Sequence, residues 1–475
     1  MSLNFPAARC AVLGKIVFDF RGSNLLLKYI VIKMTESHYT IMIKKAKRLI
    51  SSRSGVIKGI YPAFTQHFDP ETFSFGTEKT DTSRFFLHQA PERGGAAGCK
   101  KENAYIASIG EAIERYCCAI YNPEELIFDS YKNLSKRTNV VHPDKFALFS
   151  ERQYKLKGFP YKKFTEESRI SWVKVFSLVN KEEVFVPAQT IFLPFSRRKE
   201  EIPICPITST GLAAGPSRDF ALLNALYEII ERDAFTIIWL SKLTPPRLNI
   251  QNFRLLDKFF KSKFCVNNFK YTFYDITLDI KIPTAMVILE GQIEIGKIIG
   301  VGCGTRITME ESLKKALLEV SQLPPWIRYS YQKEPKWNCR RDFSNIRSFD
   351  DHGQLYTRRN DLVKKAFSFL KKNKSGKKIF RRNKQYEKPG EILEFCIKEI
   401  RKHGFDIFYR DLTTCDIRDA GFCVVRVIVP GLIPLHGDHR YPFLGGQRIY
   451  DVPVKLGFMS SCCESDINLY PHPSA

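Results

Sequence analysis

Residues 208–234 read TSTGLAAGPSRDFALLNALYEIIERDA. A run of small residues leads into a helical pattern in which Leu222, Leu226, Ile229 and Ile230 form an apolar stripe. Glu228, Glu231 and Arg232 are grouped on another face. The closing signature, ExxER, occurs again upstream as Glu111-Ala112-Ile113-Glu114-Arg115, behind Gly94-Gly95-Ala96-Ala97-Gly98. There Ile109, Ile113 and Tyr116 are the apolar stripe, and Ser108, Glu111 and Arg115 align at i, i+3 and i+7. A single ExxER is an ordinary solvated helix face laced by local ion pairs. Two copies, each behind a glycine-rich segment, call for a shared explanation.

A third helical segment carries Ser312, Lys315, Glu319 and Gln322 along one line. Carboxylates in such number repel one another unless cations hold them, and Mg2+ bound by carboxylates and substrate phosphates is the usual solution. The glycine-rich segments are expected to be loops whose free N–H groups receive phosphate at a helix start. Neither is a P-loop, since no GKS or GKT follows, and Gly300-Val301-Gly302-Cys303-Gly304 fails the dinucleotide spacing. Arg426, within the apolar run 423–430, reads as a buried strand cation that either pairs with a core carboxylate or faces a phosphate.

Working outward, helices are expected over 102–120, 217–240 and 309–323, and strands over 184–187, 284–289, 297–302 and 422–430. This pattern is that of an α/β, mixed α+β enzyme with long helices packed on mixed sheets. Residues 331–390 are rich in Lys and Arg and read as a basic surface insertion, a solvated loop rather than an RNA-binding tract. The first 45 residues carry no motif, and Met34 and Met42 are alternative starts. Lys15, Asp19 and Lys28 interrupt their apolar runs, which excludes a signal sequence or membrane span and points to the cytoplasm. The formal charge of +24 calls for an anionic partner without choosing among nucleotide, nucleic acid and acidic peptide. The 13 cysteines lack zinc-ligand spacing and read as reduced core thiols.

Taken together, SIGEAIERY at 108–116, TSTGLAAG at 208–215, ALYEIIERDA at 225–234, ESLKKALLEVSQ at 311–322, DLTTCDIRDAGFCVVRVIVPGLIPLH at 411–436 and the tail YPHPSA at 470–475 resemble the YcaO family. The resemblance is to the cyclodehydratase component that makes thiazolines and oxazolines in ribosomally made peptides, and it runs over 46–475. It implies an ATP and Mg2+ site without a P-loop. Glu111, Glu114, Glu228 and Glu231 would hold Mg2+. Together with Arg115, Arg232, Glu319, Gln322 and Arg426 they would bind the nucleotide, with Arg232 and Arg426 meeting phosphate. Glu111, Glu231, Arg426 and the tail residue Pro473 would serve the chemistry. The implied substrate is a precursor peptide whose Cys, Ser or Thr becomes a ring. The implied partners are an E1-like peptide-recognition protein, an FMN-dependent azoline dehydrogenase where rings are oxidised, and a second copy of the chain. Membrane attachment and nucleic-acid binding are not expected.

Two features depart from the family's pattern. Gly98-Cys99-Lys100 stands where a Gly-Lys-Gly element is usual, and the proline tail is short, with His472 expected to be solvated. Thioamide or amidine formation by the same site, RNA binding through the basic residues, and a scaffold without turnover are the competing readings.

Overall fold

The computed structural model describes residues 36–474 except 92, 147, 266–267 and 372–387. Three antiparallel sheets carry the fold. The first is β1 (Ile57–Pro62), β2 (Phe73–Lys79) and β3 (Arg93–Gly98) in that order. The second begins with β4 (Ile127–Asp129), β5 (Ile170–Ser177), β6 (Glu183–Pro187) and β7 (Leu212–Gly215). The third is β8 (Arg247–Leu248), β9 (Phe269–Asp275), β10 (Thr284–Ile293) and β11 (Gly296–Thr305). The chain then returns to the second sheet with β12 (Phe408–Asp411) and β13 (Cys423–Ile428), giving the order β4-β5-β12-β13-β7 with β6 beside β5. The expected α+β character holds, although the paired strands are antiparallel rather than of mixed direction.

Two helices organise these sheets. The first ExxER helix, Lys101–Ala119, and the second, Arg218–Leu240, lie on opposite faces of the β13–β7 edge. Strand alternation decides the division. Leu212 and Val424 join the core with Ile109 and Ile113, whereas Ala213, Val425 and Val427 join the one with Leu222, Leu226 and Ile230. The second helix continues past that sheet. Its later residues, Ala234 to Leu240, pack with Met286 and Ile288 of β10, whose neighbours Ala285, Val287 and Leu289 face the helix Met309–Val320 instead.

Small residues set these approaches. A Cβ on Gly302 would come within 2.3 Å of the Ala316 carbonyl oxygen, and one on Gly304 within 2.2 Å of that of Ser312. Gly211, with φ +82°, occupies the left-handed region, and a side chain there would meet the Val427 carbonyl at 2.2 Å.

Three expectations are corrected. The helix expected over 309–323 stops at Val320, because Pro324 and Pro325 can only begin a new helix, Leu323–Lys333. Gln322 caps that new helix and does not continue the line of Lys315 and Glu319. Residues 339–370 do not stand off as a surface insertion, for Cys339, Ile346, Leu355, Tyr356, Phe367, Phe369 and Leu370 belong to the largest core cluster. Lys377, Lys378, Arg381 and Arg382 lie outside the described residues, as do residues 1–35.

Candidate active site

The two ExxER helices, the Met309–Val320 helix and the free edges of all three sheets surround one cavity of about 1950 Å³. Edge strands carry N–H groups with no strand to receive them. Here they are received by glutamates. Gly95 on β3 donates to Glu111 Oε2 at 2.9 Å, and Ala214 on β7 donates to Glu114 Oε1 at 2.8 Å. Gly211, just before β7, donates to Glu228 Oε2 at 2.8 Å, and Thr305 at the end of β11 to Glu231 Oε2 at 3.1 Å. The glycine-rich segments are therefore not phosphate loops at helix starts. Residues 93–98 and 212–215 are strand backbone, 208–211 is the turn leading into β7, and the N–H groups of Gly95, Gly211 and Ala214 orient carboxylates.

Each motif also carries its own counter-ion. Arg115 lies 3.6 Å from Glu111 Oε1 and Arg232 lies 2.9 Å from Glu228 Oε1, both at i,i+4. Lys315 pairs with Glu319 at 3.0 Å. Among the described residues Glu114 and Glu231 have no such partner of their own. Burial, reinforced by Glu111 and Glu228 and opposed by Arg115, pushes the Glu114 carboxyl up to about 8. Burial and the Glu319 charge do the same to Glu231, also to about 8, against Lys315, Arg306 and Arg232. Two carboxyls that hold protons at neutral pH, within a ring of further carboxylates, form a site in which a dication would replace protons. Among the described residues, Oε2 of Glu114 and Oε1 of Glu231 accept no hydrogen bond. The donor set of carboxylate oxygens fits Mg2+, and Arg115, Arg232, Arg306 and Lys315 on the same cavity fit polyphosphate.

Eight of the nine expected nucleotide-site residues line this cavity, namely Glu111, Glu114, Arg115, Glu228, Glu231, Arg232, Glu319 and Gln322, and so does Pro473. Arg426 does not. It is 3% exposed on interior strand β13, where its Nε and Nη2 donate to the carbonyls of Thr190 and Thr208 at 3.2 and 2.7 Å. Burial lowers its pKa to about 10, and among the described residues its Nη1 has no partner. In place of the expected phosphate contact, Arg426 braces the entry to β7 from behind the wall. Ser312 is likewise structural, with its hydroxyl donating to the Pro283 carbonyl at 2.8 Å.

The sequence reading missed Arg306 and Phe349. Arg306 sits over the Tyr227 ring at 5.1 Å, and Arg232 lies 5.7 Å from the Phe349 ring. The run Gly304-Thr305-Arg306 between β11 and the next helix was the available signal for the first. Lys100 and Cys99 reach the cavity despite the altered Gly98-Cys99-Lys100 stretch. Tyr61, Phe64, Trp326 and Tyr329 line it too, and the exposed Phe64 gives it an apolar side. His472, expected to be solvated, is 1% exposed.

The sequence model of one family, described as YcaO cyclodehydratase, ATP- and Mg2+-binding, matches residues 95–433. The chain belongs to the YcaO family. That match takes in both ExxER helices, the third helix and all three edge strands except the first two residues of β3. ATP and Mg2+ are the cofactors of this family. An uncharacterized protein from Methanothermobacter thermautotrophicus is 25% identical over 357 residues, 74% of this chain and 84% of its own. A heterocyclase solved in complex with substrate and cofactor superimposes with a TM-score of 0.72 at 21% identity, covering 92% of this chain. The chain spans 57% of that heterocyclase and 54% of the heterocyclase TruD. YcaO from Methanopyrus kandleri, bound with AMPPCP and Mg2+, matches with a TM-score of 0.56 at 16% identity over 84% of this chain and 89% of its own. The YcaO fold is thus shared across these proteins. Among the described residues no helix is long and apolar enough to cross a membrane.

Proposed function

We propose that this YcaO protein is an ATP-dependent cyclodehydratase that converts Cys, Ser or Thr of a precursor peptide to thiazoline or oxazoline. The observation that carries the proposal is the convergence of Glu111, Glu114, Glu228 and Glu231, each oriented by a backbone N–H, on a cavity of about 1950 Å³. That volume is about twice that of a large small-molecule pocket and leaves room for nucleotide and peptide together.

In this reading Glu111, Glu114, Glu228 and Glu231 hold Mg2+, while Arg115, Arg232, Arg306 and Lys315 orient and neutralise the phosphates. Glu319 holds Lys315 in place, and Gln322 sits on the same wall. Mg-ATP held there would supply the phosphoryl group that makes the substrate's amide oxygen a leaving group. The protein's part is placement. It sets the side-chain sulfur or oxygen of the peptide against the preceding amide carbon and keeps bulk water from competing. Pro473 forms the wall nearest the buried tail, and Tyr61, Phe64, Trp326 and Tyr329 offer apolar surface to the peptide. Arg426 acts through Thr208 and not on phosphate. A peptide-recognition protein of the E1-like kind, an FMN-dependent dehydrogenase and a second copy of the chain are the proposed partners. The microcin synthetase McbBCD from E. coli, which matches with a TM-score of 0.51 and 13% identity over 80% of this chain and 89% of its own, is itself a complex.

The test combines the purified chain, Mg-ATP, a Cys- and Ser-rich peptide and its delivery partner, following peptide mass and phosphate together. Loss of about 18 Da per ring, matched by phosphate and absent in Glu111→Ala, is the expected result. Phosphate release with a mass gain from added sulfide would instead assign thioamide formation.

A further inference from the structure

Behind the part of the cavity wall formed by Pro473, three histidines from separate parts of the chain meet. His352 comes from the helix Phe349–Arg358, His436 from the segment after β13, and His472 from the tail. They are 0%, 2% and 1% exposed, and one ring nitrogen from each lies within 4.8 Å of the others.

Backbone carbonyls fix two of the tautomers. His352 Nδ1 donates to the carbonyl of His472 at 2.8 Å, which leaves Nε2 as a lone pair, and that atom is buried without a partner among the described residues. His472 Nε2 donates to the carbonyl of His436 at 2.7 Å, which leaves Nδ1 as an acceptor approached by the Ser474 N–H at 3.4 Å. His436 Nδ1 is also buried without a partner among the described residues. A carbonyl on the far nitrogen is the arrangement that orients a ligating imidazole, and buried polar atoms without partners cost stability unless something satisfies them. His439, whose Nδ1 is a further unpartnered atom, lies 6.1 Å from the His352 ring.

We propose that His352, His436 and His472 bind a borderline divalent transition-metal ion, Zn2+ as the probe, which fastens the tail against the cavity wall. The ligand set is neutral imidazole nitrogen, which suits Zn2+ and rejects the hard Mg2+ that the carboxylate site takes. Coordination brings the three nitrogens to about 3.3 Å apart, the edge of a tetrahedron with arms of about 2 Å. It therefore tilts the rings of His352 and His472, now stacked at 3.7 Å and 3°, out of parallel. His439 or a water takes the fourth position.

The experiment titrates the chelator-treated full chain with Zn2+ against a chromophoric chelator, without ATP or peptide, so its outcome is independent of the proposed activity. Wild type is expected to take up one equivalent that His352→Phe and His436→Phe each weaken by at least 100-fold while retaining wild-type circular dichroism. Replacement of the exposed thiols, Cys265→Ser, Cys415→Ser and Cys463→Ser, leaves that equivalent in place. Nitrogen-15 histidine spectra should show the His352 and His472 rings shifting together on Zn2+ addition. Failure of folded wild type to bind a stoichiometric equivalent, or tight binding retained by both histidine variants, would overturn the proposal.

Discussion

The backbone N–H of Ala214, on the edge of one sheet, donates at 2.8 Å to the carboxyl of Glu114, which belongs to the other ExxER motif. The two motifs are thus joined at the carboxyl that burial keeps protonated near neutrality. Glutamine reproduces a neutral carboxyl in shape and acceptor but cannot ligate a dication as an anion. Glu114→Gln should therefore leave the thermal midpoint of the ligand-free protein at pH 7.5 unchanged or raised. Turnover should fall by at least about 10³-fold if phosphate stabilisation depends on the metal. Calorimetry and phosphate release check both halves.

The pH dependence follows from the same shift. Folding raises the carboxyls of Glu114 and Glu231 from an ordinary 4.5 to about 8, so the folded state binds the extra protons. Their contribution to stability is fully present below pH 4.5 and is lost as pH rises towards about 8. Mg2+ held by these carboxyls, as proposed, would displace those protons, so Mg-nucleotide affinity should rise with pH across this window and level off above it. Titration calorimetry in buffers of different ionisation heat should register the released protons.

Arg448 is shared by Asp233, at 2.7 Å, and Asp279, at 2.8 Å, all three buried. Arg448→Met leaves two carboxylates without their cation. A loss of about 3–5 kcal/mol in urea unfolding is expected, the magnitude for one broken buried pair. Because Arg448 does not line the cavity, Mg-ATP affinity of the folded variant should stay near wild type.

Gly304→Ala tests the seat of the third helix. Its methyl would meet the Ser312 carbonyl at 2.2 Å, backbone against backbone, with no side chain to swing away. The expected cost is about 1–3 kcal/mol. Lys315 and Glu319 move with the helix, so KM for ATP should rise as well.

The ExxER helices were legible because charge and apolar period coincide within one turn of each other, and Glu111, Glu114, Glu228 and Glu231 fell where that period put them. Glycine was harder to read. A glycine that lets a phosphate approach and one that lets a strand pack closely have the same letter, so the loop expected at Gly95 is strand β3, whereas Gly211 does lie in a turn. Arg426 was recognisable as a buried cation, but its acceptors, the Thr190 and Thr208 carbonyls, are backbone atoms with no sequence signature. The basic composition of 331–390 concealed Ile346, Leu355 and Phe369, whose burial depends on distant Trp239 and Ile299. His352, His436 and His472 are brought together only by tertiary folding.

The three sheet edges around the cavity carry one further implication. Open edges invite other strands, and proteins ordinarily guard them with charge or cover. Here the guards are the same four glutamates proposed to hold Mg2+, so this protein cannot lose its metal ligands without also baring β3, β7 and β11. A chain stripped of all four should be prone to self-association as well as inactive, because in the proposed reading the same carboxylates guard the edges and hold the metal.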